Sequence, residues 1–140
     1  MPTIFTRIIQ GDLPGRFVWQ DDRVVAFLTI SPVKPGHTLV VPREEIDHWI
    51  DMEQDLARHV MDVCVAVGQA IQQAFGPLRV GQSIVGLEVP HVHVHLIPIN
   101  EMADINFANA DADPDPAELD AAAERIRTAL RELGHAQVSD

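Results

Sequence analysis

Three histidines alternate with aliphatic residues between two prolines, in the sequence Pro90-His91-Val92-His93-Val94-His95-Leu96-Ile97-Pro98. Strict alternation is the period of a β-strand, so this pattern predicts a strand over residues 89–99 with three imidazoles on one face. The aliphatic residues on the opposite face can be core. Burial would leave the nitrogens of each imidazole in need of partners, so three in a row favour a functional site over ordinary packing.

A row of imidazoles on one strand face could bind a metal ion or act as a nucleophile. Neighbours on one face lie about 6.6 Å apart, so at most two of the three rings could reach one ion. Such a site would need further ligands, of which His37 could be one and Glu88 or aspartates others. A neutral imidazole can instead attack phosphorus through one nitrogen while the other is held as a hydrogen-bond donor. A hydrogen-bonded histidine ladder without chemistry is the third alternative. The pattern favours the nucleophile.

The composition limits the class of protein. With 140 residues, 46% of them hydrophobic, the chain predicts one globular domain. The formal net charge of −11 argues against nucleic acid and anionic membranes as partners. Cys64 is the single cysteine, which excludes an internal disulfide and a multi-cysteine zinc site. The sequence has no apolar run of 18 residues and no signal-peptide pattern, so we expect a soluble, cytoplasmic protein.

Turn signals and apolar periodicity predict three helices around a sheet. Thr3 caps a short helix that ends at Gly11, and Asp51 caps a long helix from about Met52 to Phe75. A third helix starts at Asp115-Pro116. The predicted strands cover residues 17–19, 24–28, 37–41, 79–85 and 89–99. Short links between neighbouring strands indicate an α+β domain with an antiparallel sheet.

These residues resemble the histidine triad superfamily of nucleotidyl hydrolases and transferases. Its signature alternates three histidines with apolar residues and ends in two apolar residues, as residues 91–97 do. Its opening segment is similar to Ile4-Phe5 and to Ile8-Ile9-Gln10-Gly11-Asp12-Leu13-Pro14. Its central hairpin and loop are similar to residues 24–28, Ser31-Pro32 and Pro35-Gly36-His37-Thr38-Leu39-Val40-Val41-Pro42. The resemblance covers about residues 3 to 100.

The resemblance implies a five-stranded antiparallel sheet with one long helix, to which the sequence adds the N-terminal and C-terminal helices. It also implies a homodimer with one continuous sheet. We expect residues 1–104 to form the nucleotide-binding catalytic domain. Residues 105–140 would form a C-terminal arm and helix that pack on this domain or on the dimer mate.

The resemblance also implies roles for individual residues. His93 would be the nucleophile, His95 would contact the phosphate, His91 would orient the nucleophile through its carbonyl, and His37 would complete the imidazole network. The nucleotide would be bound by Phe5, Ile8, Phe27, Leu28, Thr29, Ile30, Leu87 and Glu88. Substrates would be AMP-containing purine nucleotides, either phosphoramidates or dinucleoside polyphosphates, with no cofactor and no metal ion.

The sequence departs from the family pattern at three places. Many members bind a structural zinc ion with a Cys-x-x-Cys pair and a histidine, where this chain has Thr3, Thr6 and Glu45, so we predict no zinc there. The phosphoramidase branch has an acid for the ribose hydroxyls where this chain has Thr29. It has polar residues near the phosphate where this chain has Leu87 and Glu88.

Glu88 and Thr29 leave two questions open, namely which way Glu88 faces and whether the chain is an enzyme. A carboxylate beside an anionic phosphate costs binding energy, so Glu88 either faces the leaving group and selects amines or cations, or turns away. The alternatives to the enzyme are a low-turnover nucleotide-binding regulatory module and a metalloprotein that uses His93, His95 and His37.

Overall fold

A computed structural model describes residues 1–139 as three α-helices and five β-strands, which confirms the predicted α+β class. In chain order these are α1 (Ile4–Ile9), β1 (Phe17–Gln20), β2 (Val24–Leu28), β3 (Thr38–Pro42), α2 (Gln54–Phe75), β4 (Arg79–Ser83), β5 (Val94–Ile99) and α3 (Pro116–Glu132). Short 3-10 turns cover Trp49–Asp51, Met102–Ile105 and Phe107–Asn109. The strands pair antiparallel in the order β1-β2-β3-β5-β4.

The sheet separates two apolar clusters, because side chains alternate between the faces of each strand. On one face, Val24, Ala26 and Leu28 of β2 join the main core with the buried sides of α2 and α3. On the other face, Val25 and Phe27 belong to a smaller cluster that includes Phe5, Leu39 and Val41. This second face carries the histidines, and α1 packs against it.

The capping signals were right for α1 and wrong for α2. Thr3 caps α1 by accepting a hydrogen bond from the amide of Thr6. Asp51 does not cap α2, because it lies in the 3-10 turn and Met52 after it is extended. The helix starts at Gln54, and its N-cap residue Glu53 makes no side-chain capping hydrogen bond. The long helix ends as expected at Gly76, whose φ of 60° is left-handed.

The histidine strand is shorter than predicted. The β3–β5 ladder ends at the pair Val40 and Val94, and β4 ends at Ser83, which pairs with His95. Residues 89–93 therefore precede the strand, and the amide of Val92 bonds the carbonyl of Ile46 instead. The predicted strand over residues 79–85 was also too long, because β4 ends at Ser83.

The two edges of the sheet differ. Residues 137–139 run beside β1, where the amide of Gln20 bonds the carbonyl of Gln137 and the amide of Ser139 bonds the carbonyl of Val18. Strand β4 has a sheet neighbour on one side only among the described strands. Within residues 1–139, no helix has the length and apolar character needed to cross a bilayer.

Candidate active site

The histidines lie beside a cavity of about 430 Å³ over the sheet. His95 lines the cavity from β5, and His93 lines it from the segment just before β5. His37, the residue immediately before β3, also lines the cavity. Thr29, Leu87 and Glu88 also line the cavity. The structure thus brings three of the four predicted histidines and three of the eight predicted nucleotide contacts to one cavity.

The ring of His93 has one nitrogen held and the other available. Its Nδ1 lies 2.8 Å from the backbone carbonyl oxygen of His91. A carbonyl only accepts, so Nδ1 carries the proton and donates, which leaves the lone pair of the neutral ring on Nε2. Burial lowers the pKa of His93, although its bond to the His91 carbonyl and the charge of Glu88 oppose that shift. The ring is therefore neutral and nucleophilic at pH 7.

His91 supports His93 and does not line the cavity. Its side chain is fully buried, and its Nε2 donates to the carbonyl oxygen of Pro42 at 2.7 Å. Its Nδ1 lies 2.7 Å from the hydroxyl of Thr3. Burial lowers the pKa of His91, so this ring is also neutral, with Nδ1 as acceptor.

His37 and His95 form a hydrogen-bonded pair with a definite proton order. The amide of Val33 donates to Nδ1 of His37 at 3.1 Å, so His37 carries its proton on Nε2. That nitrogen lies 2.9 Å from Nδ1 of His95, which must accept, and His95 therefore carries its own proton on Nε2. Burial, and secondarily the imidazole of His95, lowers the pKa of His37 to about 3. Burial, and secondarily the imidazole of His93, lowers the pKa of His95 to about 4.

Apart from Leu87, the apolar residues predicted to bind the nucleotide do not line the cavity. Phe5 is buried with its ring edge-on to that of His93, 4.8 Å between centroids, and Phe27 packs behind it. Ile8 packs on the same cluster. Leu28 faces the opposite side of the sheet, in the main core, and Ile30 is exposed. Their contact with a nucleotide stays a prediction.

The sequence interpretation missed a residue of the C-terminal arm. Phe107 lines the cavity, and its ring lies edge-on to that of His95. Ala110 of the same arm and Ser31 also line the cavity. The one available signal was that Phe107 is the only aromatic residue after position 100, within an otherwise polar segment.

The ring nitrogens do not favour the metalloprotein alternative. Both nitrogens of His37 and Nδ1 of His95 already have hydrogen-bond partners within the protein. Among residues 1–139, no three His, Cys, Asp or Glu side chains are grouped so that they could hold one metal ion. The arrangement instead offers a neutral nucleophile at His93 and, beside it, an imidazole N–H donor at His95, with 5.0 Å between the ring centroids.

Comparison with known proteins identifies the family to which this chain is similar. The family model of the HIT domain matches residues 10–102. The chain is 35% identical over 106 residues to the purine nucleoside phosphoramidase of Escherichia coli, covering 68% of this chain and 85% of that protein. It is 36% identical over 100 residues to the protein hit of Bacillus subtilis, covering 68% of this chain and 69% of that protein.

Solved structures agree with this match. A Hit-like protein from Bartonella henselae, described as involved in cell-cycle regulation, superposes with a TM-score of 0.79 at 29% identity, covering 91% of this chain and 95% of that one. A hypothetical histidine triad nucleotide-binding protein from Sulfolobus tokodaii superposes with a TM-score of 0.80 at 25% identity, covering 92% of each chain.

Proposed function

The chain belongs to the HIT domain family, and from this membership and the geometry at His93 we propose that it is a nucleotidyl hydrolase or transferase. It would act at the α-phosphate of purine nucleotides through a covalent intermediate on Nε2 of His93. The observation that carries the proposal is the bond from Nδ1 of His93 to the carbonyl of His91, which leaves Nε2 with the lone pair.

In the first step, the lone pair on Nε2 of His93 forms a bond to the α-phosphorus, and the bond from phosphorus to the leaving group breaks with its electron pair. The leaving group takes up a proton from solvent and departs as a phosphate or as an amine, which solvent protonates further to an ammonium ion. The His93 ring is then cationic, because Nδ1 keeps its proton. The His91 carbonyl oxygen, 2.8 Å away, stabilises that developing charge.

In the second step, water attacks the same phosphorus and the bond between phosphorus and Nε2 breaks. The electron pair returns to His93, the water proton leaves to solvent, and a nucleoside monophosphate is released. His95 contributes a hydrogen bond from its Nε2 proton to a phosphoryl oxygen. His37 holds that tautomer through the 2.9 Å contact with Nδ1 of His95.

Phosphoramidates are the substrate class that the cavity favours. The E. coli relative is a purine nucleoside phosphoramidase. Glu88 lines the cavity of this chain, and its charge reaches His93. A carboxylate at that place repels an anionic leaving group such as a nucleotide phosphate and attracts an amine that leaves as an ammonium ion. We expect dinucleoside polyphosphates to be poorer substrates for this reason.

A substrate panel tests this proposal. Turnover of adenosine phosphoramidates and of dinucleoside polyphosphates is measured for the wild type, His93→Ala and the control His135→Ala. His135 contacts Trp19 and does not line the cavity, so the control removes an imidazole away from the site. We expect turnover by the wild type and the control, faster for phosphoramidates, and none above background by His93→Ala.

A low-turnover nucleotide-binding module is the second candidate, and it is favoured by the uncharged Thr29 and by Glu88 in the cavity. Tight binding of a purine nucleotide by the wild type, with turnover equal to that of His93→Ala, would support this candidate and exclude the enzyme.

We also infer a homodimer and a cytoplasmic location. The open edge of β4 supports the dimer, because an unpaired strand edge is a template for another strand. Leu78 and Val85, which flank β4 in the chain, are exposed apolar residues, and so are Met61 and Val65 of α2. Cys64 is buried and unpaired, which needs no oxidising compartment. Light scattering during size exclusion tests the dimer, and a monomeric mass would exclude it.

A further inference from the structure

Three residues at the N-terminal helix and after β3 form a hydrogen-bonded cluster beneath the histidines. One carboxylate oxygen of Glu45 accepts from the amide of Thr3 at 2.7 Å and from the hydroxyl of Thr6 at 2.6 Å. The amide of Thr6 donates to the hydroxyl oxygen of Thr3 at 3.1 Å. That hydroxyl lies 2.7 Å from Nδ1 of His91. The cluster therefore joins an exposed carboxylate to a fully buried ring.

The direction of each bond in this cluster follows from its partners. His91 donates from Nε2 to the carbonyl of Pro42, so its Nδ1 accepts. The hydroxyl proton of Thr3 must then point at His91, while its oxygen accepts from the amide of Thr6. Donation therefore runs from the Thr6 amide through the Thr3 hydroxyl to Nδ1 of His91, while Glu45 only accepts, from the Thr3 amide and the Thr6 hydroxyl. The bond into Nδ1 prevents the ring from adopting the other neutral tautomer.

The sheet ladder does not reach the backbone of His91, which is held by two other bonds, from its own amide to the carbonyl of Val89 and from the amide of Val92 to the carbonyl of Ile46. The β3–β5 ladder begins at Val94, three residues later. The carbonyl of His91 accepts instead from Nδ1 of His93. The bonds of the ring nitrogens to Thr3 and Pro42 fix the side chain of His91, and they add to the backbone bonds that keep its carbonyl facing His93.

The cluster does not fit the zinc ion that many family members bind at these positions. Zinc in structural sites takes thiolate and imidazole ligands in a closed tetrahedral set. Here the side chains are two hydroxyls and one carboxylate oxygen that already accepts two hydrogen bonds. Nδ1 of the one nearby imidazole, His91, already accepts from Thr3. In this chain, the hydrogen bonds of Thr3 and Thr6 to Glu45 connect α1 to the residues after β3.

We propose that Thr3, Thr6 and Glu45 are positioning residues for the reaction, acting through His91 on the orientation of His93 without a metal ion. Thr3 is the essential member, because its hydroxyl alone reaches the buried ring. This inference rests on the proposed function for its kinetic test, and a second test does not need turnover.

The kinetic test compares Thr3→Val, Thr3→Ser and the control Thr128→Val, which removes a hydroxyl from α3, away from the site. Thr3→Val leaves Nδ1 of His91 buried without a donor, so kcat falls about tenfold while KM changes less than about twofold. Thr3→Ser keeps the hydroxyl and restores kcat. An unchanged kcat in Thr3→Val, or an equal loss in Thr3→Ser, would overturn the inference.

The second test uses nitrogen NMR of the imidazoles, which reads the tautomer with no substrate. In the wild type, we expect His91 as the Nε2–H form and His93 as the Nδ1–H form. In Thr3→Val the Nδ1 resonance of His91 shifts and the Nδ1 proton of His93 exchanges faster. If neither changes, the inference fails, whatever the turnover. If the wild type turns over no nucleotide, the proposed function fails and this test alone decides the inference.

Glu45→Ala covers the case in which Thr3→Val does not fold. Glu45 is exposed, so water replaces its two hydrogen bonds and the fold persists. We expect a smaller loss of kcat than in Thr3→Val, with the same NMR changes in weaker form. The control Glu44→Gln, at an exposed neighbouring carboxylate, leaves both unchanged. Wild-type kcat and an unaltered spectrum in Glu45→Ala would remove Glu45 from the proposal.

Discussion

The ring of Phe107 lies edge-on to the ring of His95, with 4.6 Å between the two centroids. It is also 6.2 Å from the ring of His37, so one aromatic side chain covers both members of the hydrogen-bonded pair. The arm that carries Phe107 is attached on both sides, by the ion pair of Lys34 with Asp104 and by the bond from the amide of Asp111 to the carbonyl of Pro32. The C-terminal arm is therefore a fixed wall of the cavity.

Replacing Phe107 should change the size of leaving group that the enzyme accepts. Phe107→Ala removes an apolar wall beside His95, so we expect kcat/KM to fall about tenfold for a small amine and less for a large one that fills the space. The measurement is kcat/KM for two adenosine phosphoramidates that differ in the size of the amine. Phe107→Leu is the matched control and should stay near wild type. An unchanged ratio between the two substrates would remove Phe107 from specificity.

The charge of Glu88 should set the preference for cationic leaving groups. In Glu88→Gln we expect the ratio of kcat/KM for a cationic over a neutral amine to fall by about fivefold at most, because Glu88 is exposed and solvent screens its charge. The control Glu44→Gln removes an exposed carboxylate that does not line the cavity. If the ratio in Glu88→Gln equals that of the control, Glu88 does not face the leaving group.

The acidic limb of the pH profile of kcat/KM should lie below pH 6.5. The pKa of His93 is lowered by burial, and that of His95 is lowered to about 4, so both rings keep their neutral forms as the pH falls to mildly acidic values. Activity needs the lone pair of His93 and is lost only as that ring takes a proton. The profile of kcat/KM between pH 4 and 8 checks this. A limb at pH 7 or above would contradict it.

Buried neutral histidines should also make the free energy of unfolding depend on pH. The pKa of His37 is about 3 in the folded protein and 6.5 for an unperturbed histidine, so below pH 6.5 the unfolded chain binds a proton that the folded chain does not. The contribution of His37 to the free energy of unfolding is therefore largest above pH 6.5. It decreases as the pH is lowered, by about 2 kcal/mol from pH 7 to pH 5. Urea unfolding at these two values should give a smaller loss in His37→Gln. Equal losses would contradict the burial of a neutral ring.

Local sequence signals predicted the parts of the fold that depend on local chemistry. Strand β2 has the predicted limits, since an apolar run between polar turns has few alternatives. The strand predicted for the histidine segment was too long. Alternation indicates on which face of the sheet a side chain lies, but it does not indicate where the hydrogen-bonded ladder ends. Asp51 failed as a cap because the extended Met52 separates it from α2.

Contacts between distant parts of the chain could not be predicted in this way. The four histidines and Glu88 were named from the triad and its resemblance to a family. Phe107 was not, because its contact with His95 joins an irregular arm to a strand and leaves no periodic pattern. The bond between Thr3 and His91 spans 88 positions, and no spacing rule relates them.

Trapping of the covalent intermediate shows whether His93 is the nucleophile. The wild type is mixed with an adenylyl substrate labelled at the α-phosphate, quenched in acid during turnover, and digested for mapping of the labelled residue by mass spectrometry. We expect a nucleotidyl group on His93 in the wild type and in His135→Ala, and no label in His93→Ala. Label on another residue, or turnover by the wild type with no label on His93, would contradict it.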